Sequence, residues 1–164
     1  MPATYEPIET KTLGTATASV TFSSIPQTYT DLVLVVNHSV TSGNPSIIGR
    51  FNSDTGSNYS RTRLIGNGSA ASSARGVSQT SLGLATGIGS STTREGVMIC
   101  NVFNYANTTT YKTCIVRNNA ASLGTEVGVT MWSSTSAVTA FEVSVDSSTF
   151  TVGTTFVLYG VKAA

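Results

Sequence analysis

Apolar residues in this chain recur at alternate positions or in short unbroken runs, and not at the three-and-four spacing of an amphipathic helix. Ala16, Ala18, Val20 and Phe22 alternate with Thr17, Ser19 and Thr21, the pattern of a strand with one buried face. Residues 32–36, 97–103 and 156–161 carry apolar side chains on both faces, interrupted in the second run by Asn101. Further strands are predicted at 47–51, 59–65, 112–117, 127–132 and 141–145, and around Leu82 and Leu84. About eight to ten strands, separated by turn signals and lacking any crossover helix, predict an all-β fold. The expected architecture is an antiparallel β-sandwich, jelly-roll-like, with a closed barrel as the alternative.

Residues 1–13, marked by Pro2 and Pro7, read as an extended amino-terminal arm that could reach a neighbouring subunit, and 14–164 as a single β-sandwich domain. The stretch 66–93 is rich in Gly, Ser and Ala and reads as long loops around one short strand. Within it, Asn67-Gly68 suits a tight turn.

Charged residues make up only 10% of the chain, against about 25% in an average soluble domain. Ser and Thr supply about three residues in ten and solvate a β surface in place of charge. A net charge of +1 argues against nucleic acid as a partner, because that binding rests on neutralising phosphates. Arg61 and Arg63 share a strand face and read as a solvated edge. No apolar run approaches the roughly 18 residues of a spanning helix, so no membrane partner is expected. The amino terminus has neither a basic start nor an apolar stretch, and no secretion signal is expected. Cys100 and Cys114 then read as buried, reduced thiols on neighbouring strands, with a disulfide as the alternative.

A lone sandwich turns one face of each strand to its core and the other to water. The doubly apolar strands therefore predict covering loops or a partner subunit. Val33, Val35, Val157, Tyr159 and Val161 are the candidate contacts, together with Trp132. The last is out of phase with Val127, Val129 and Met131 and is expected to point away from the core. A homo-oligomer, with a trimer as the expected order, follows from this surplus.

Candidate chemistry is sparse. Asp54-Thr55-Gly56-Ser57 matches the core of the aspartic-protease motif, but the polar Asn52-Ser53 precedes it where that motif needs apolar strand residues. A polar turn explains the same letters. His38, the one histidine, has no nucleophile elbow beside it and reads as a strand-end residue satisfied by solvent. No metal-ligand spacing and no phosphate-cradling loop occurs, so no catalytic, metal or cofactor site is assigned. Tyr59 with Asn58 and Arg61, and Tyr105 with Asn104 and Asn107, are candidate glycan contacts, although tyrosines that frame turns are more often packing residues. A glycan-degrading enzyme would need two carboxylates in one groove, and nothing in the spacing of Glu95, Glu126, Glu142 and Asp146 selects a pair.

Four segments carry a likeness to a known group: TASVTFSSIPQTYTDLVLVV at 17–36, RFNSDTGSNYS at 50–60, NYANTTTYKT at 104–113 and GTTFVLYGVKAA at 153–164. Together the chain resembles small virion proteins of tailed bacteriophages, notably of cyanophages and marine phages, and related domains at the ends of tail fibres. The likeness runs over nearly the whole chain and is least at 66–93. The resemblance implies a capsid decoration or cement protein on the exterior of the virion, seated as trimers on the major capsid protein. The alternative it implies is a fibre or receptor-binding domain that touches host glycans. It supplies no catalytic residues. A short product starting at Met1 favours decoration.

Overall fold

Twelve strands organise the computed structural model, which describes residues 4–92, 96–120 and 122–162. They are β1 (Tyr5–Thr12), β2 (Ser19–Phe22), β3 (Asp31–His38), β4 (Ile47–Phe51), β5 (Tyr59–Gly66) and β6 (Ala71–Gln79), followed by β7 (Leu82–Ala85), β8 (Gly96–Phe103), β9 (Lys112–Ala120), β10 (Gly124–Trp132), β11 (Phe141–Val145) and β12 (Thr155–Val161). Every pairing is antiparallel, and no helix occurs among the described residues. The large sheet runs β1-β12-β3-β8-β9-β10-β5-β6, and the small one β2-β11-β4-β7.

Setting β5, β6, β9 and β10 aside leaves eight strands with a simple rule. The first pairs with the last (β1 with β12) and the second with the seventh (β2 with β11). The third pairs with the sixth (β3 with β8) and the fourth with the fifth (β4 with β7). That is one long antiparallel hairpin wound over itself, the jelly roll. The remaining strands form two hairpins inserted into its connections: β5–β6 between β4 and β7, and β9–β10 between β8 and β11. Both insertions add to the same edge of the large sheet, extending it by four strands.

The core lies between the sheets. Phe22, Ile47, Phe51, Phe141 and Val143 from the small sheet meet Leu34, Val36, Met98, Cys100, Phe156 and Leu158 from the large one. Strand alternation accounts for this, since each contributes every second residue. Gly160 is required by close packing, because a Cβ there would lie 2.3 Å from the Tyr29 ring.

Two segments differ from the sequence expectation. Residues 5–12 are a strand of the chain's own large sheet, paired with β12, rather than an arm free for a neighbour. Residues 71–79 form β6, a full partner of β5, where loops were expected. Asn67-Gly68 is the turn between them: Gly68 has φ +85°, and Asn67 Oδ1 accepts from the amides of Ser69 and Ala70. Twelve strands therefore stand where eight to ten were expected.

Trp132 also differs: it points inward and is 3% exposed. Its ring meets Phe51 edge-on at 5.7 Å between centroids and stacks on Tyr59 at 6.4 Å. The indole N–H donates to Asp54 Oδ2 at 2.6 Å. This bond, ahead of those from Asn58 and the Gly56 amide, holds the Asp54 carboxyl below the usual carboxylate range, against the opposing effect of desolvation. The Asp54-Thr55-Gly56-Ser57 segment is thus a turn that caps a buried tryptophan. Replacing Asp54 by Ala should lower unfolding free energy by about 2 kcal/mol, because charge-assisted hydrogen bonds to Trp132, Asn58 and Gly56 are lost together. Urea unfolding of the variant measures this, and an unchanged midpoint and slope would contradict it.

Candidate functional site

The four-stranded extension has its polarity turned inside out. On β10, Glu126, Thr130 and Trp132 face the core side and are buried, whereas Val127 and Val129 face outward and are 44% and 48% exposed. The same holds on its neighbours. Val129 lies opposite Ile115 of β9 and Thr62 of β5, and Val127 opposite Leu64. Ile115 is 40% exposed and Leu64 is 59% exposed. Inward positions on these strands instead hold Lys112, Asn118, Arg61 and Arg63. The expectation that β10 buries Val127, Val129 and Met131 is therefore corrected: its phase is opposite.

Hydrogen bonds make this inversion possible. The Glu126 carboxylate reaches across to the β7–β8 connection and accepts from the amides of Gly87 at 2.8 Å and Ile88 at 3.1 Å. Thr86 bonds both Glu126, through its amide, and the Arg63 guanidinium, through its hydroxyl. Lys112 is fully buried, its Nζ donating to the carbonyls of Thr110 at 2.8 Å and Thr135 at 3.2 Å. Burial lowers its pKa. Arg61 packs beneath β7, where a Cβ on Gly83 would meet its Cδ, and desolvation is the main cause of its lowered pKa. These arginines are half-buried inner-face residues rather than a solvated edge.

Outward, apolar side chains recur across the large sheet, interrupted by Asn101, Arg117 and Thr62. Register places Tyr159 beside Val33, Val157 beside Val35, Val35 beside Ile99, and Arg117 between Ile99 and Val127. Of the residues named from sequence as contacts, Val35, Val157, Tyr159 and Val161 lie half-buried on this face, Val33 shares their phase but is 7% exposed and buried, and Trp132 lies on the other side. Among the described residues whose side chains point outward from its eight strands, the charged ones are Asp31, Arg75 and Arg117. A shallow trough lined by Thr62, Leu64, Ile115, Val127 and Val129 runs along the extension, almost wholly carbon.

The glycan candidates do not assemble. Tyr59 and Tyr105 are fully buried, their hydroxyls bonded to the carbonyls of Asp54 and Pro26, so neither ring offers a stacking platform. Asn58 serves Asp54, and Asn107 Oδ1 is taken up by the amides of Thr109 and Thr110. Glu142 pairs with Arg50 at 3.2 Å, Asp146 accepts from Ser46, and Glu126 is buried, so these three carboxylates share no groove. Glu95 lies outside the described residues. Cys100 and Cys114 are buried free thiols on β8 and β9. No group of three or more metal-ligating side chains occurs among the described residues.

His38 is buried, not solvated. Its Nδ1 lies 2.7 Å from Ser90 Oγ and its Nε2 3.3 Å from Asn118 Oδ1. With that oxygen accepting, Nε2 carries the proton and Ser90 donates to Nδ1. All three residues are 1% exposed, so the order of hydroxyl, imidazole and amide is a sealed network that no outside molecule touches.

No protein-family model, curated protein or solved structure matches the chain.

Desolvation pulls the His38 pKa down from 6.5 to about 4. Below pH 6.5 the unfolded chain takes up a proton that the folded chain refuses. The stabilisation is therefore whole above pH 6.5 and is lost as pH falls towards 4, by about 3 kcal/mol in all. No other histidine titrates in that window. Denaturant unfolding at pH 7, 5.5 and 4.5 should show this fall, and His38→Gln should flatten it; equal slopes in both proteins would refute the assignment.

Proposed function

We propose that this chain is a structural component of a phage virion, a capsid decoration protein that docks on the major capsid lattice through the outer face of its large sheet. The inverted polarity of the extension carries this reading. Burying Lys112 and Glu126 and half-burying two arginines while exposing Leu64, Ile115, Val127 and Val129 is unfavourable for an isolated domain. It becomes favourable once a partner covers the outer face, since contiguous exposed apolar surface marks interaction sites.

The dimensions fit. Eight strands about 4.8 Å apart and roughly 25 Å long present a face of roughly 900 Å². A stable protein interface takes about 800 Å² from each partner. Few charges stand on that face, so docking strips little hydration from ions. The resemblance of four segments to virion proteins of tailed phages supports the same role. The fibre-domain alternative loses the two aromatic platforms that favoured it, because Tyr59 and Tyr105 are buried.

Val129→Asp and Leu64→Asp place a charge at exposed positions, so both variants should keep the wild-type fold and melting profile. Each should weaken binding to particles by at least about tenfold, as a desolvated unpaired charge requires. Electron microscopy of particles carrying the wild-type chain should show density over the shell lattice. Density at the tail tip, or undiminished binding by both variants, would overturn the proposal.

A further inference from the structure

The two ends of the large sheet are built differently. At one end, β1 carries Pro7, a break in register between Pro7 and Glu9, and the charged Glu6, Glu9 and Lys11. Proline, bulges and charge are the devices by which natural sheets stop their edges from pairing with other strands. At the other end, β6 reads Ala71-Ser-Ser-Ala-Arg-Gly-Val-Ser-Gln79, nine residues with no proline and one charge. It pairs only with β5, and six of its seven residues from 71 to 77 are exposed. The small sheet stops short of it: β7 lies over β9, β10 and β5. Two faces without cover and one open row of amides and carbonyls leave β6 with little to hold it except its bonds to β5, a marginal arrangement in water.

We propose that β6 pairs with β6 of a second copy of this chain, antiparallel, about a two-fold axis normal to the sheet. The strand's own sequence selects this occupant and a register. Its side chains are small, so backbones approach without obstruction. Centring the pair on Arg75 would set two guanidinium groups opposite each other. Centring it on Ala74 sets two methyl groups there, places Ser73 opposite Arg75 of the other copy, and keeps the whole run 71–77 paired. The break in β5–β6 register falls beyond Gly76, so 71–76 is regular strand available for this ladder. A two-fold axis normal to the sheet also keeps both apolar outer faces on one side, making one platform of double width. The pairing rests on the edge rather than on the face, so it stands or falls separately from the docking role.

Sedimentation of the full chain at micromolar concentration should give twice the 17.0 kDa chain mass. Ala74→Lys, at an exposed position, should weaken self-association by at least about tenfold through like-charge opposition, whereas Val129→Asp should leave the dimer intact. Ala74→Cys should form a disulfide-linked dimer under mild oxidation, because the native cysteines are buried. Val152→Cys, on a 62% exposed residue far from β6 in sequence, should not. A wild-type mass of one chain overturns the inference. So does a dimer that survives Ala74→Lys, or equal cross-linking of the two cysteine variants.

Discussion

Glu126 fixes the phase of the extension. Its carboxylate must turn inward to accept from the amides of Gly87 and Ile88, which belong to a connection with no strand partner of its own there. Successive residues of a strand point to opposite faces, so placing Glu126 inward forces Val127 and Val129 outward. Strand pairing then transmits the choice sideways to Ile115 on one neighbour and Leu64 on the other. A slip of one residue would bury the valines and leave a carboxylate in water and two amides orphaned. The hydrogen bonds of one buried acid thus decide which face of four strands is oily.

This divides the molecule into two parts with different tasks. The eight-stranded jelly roll closes a core of its own between two sheets, with Phe51, Phe141, Phe150 and Phe156 at its centre. The inserted hairpins contribute little to that core beyond Trp132, Tyr59, Cys114 and Val116, and they hold the most exposed aliphatic side chains of the sheet. Insertions into surface connections are tolerated because they leave the parent core intact. Here both insertions add to one sheet edge, which widens a surface without enlarging a core.

Much of this was legible in the sequence. The doubly apolar runs at 32–36, 97–103 and 156–161 announced both the sandwich and its oily outer face, since core packing needs only every second residue. Strand β6 was not legible, because Ala-Ser-Ser-Ala-Arg-Gly-Val has no buried face to impose alternation; Asn67-Gly68 was its one signal. Trp132 and β10 misled for a definite reason. Alternation says that two faces differ, and hydrophobicity is then used to choose the inner one, a choice that fails where a buried acid reverses it. Tyr59 and Tyr105 follow the packing reading rather than the glycan one: both are buried, and their hydroxyls find carbonyl partners inside. His38 and its partners Ser90 and Asn118 are far apart in sequence, so only the fold brings them together.

The central claim is that the outer face of the extension is covered in the assembled state. Hydroxyl-radical footprinting of the chain, free and bound to intact particles, reads that cover residue by residue. The account predicts strong protection of Leu64, Ile115 and Met131 on binding, with Tyr111 and Val152 labelled equally in both states. Equal labelling of Leu64, Ile115 and Met131, free and bound, would contradict it.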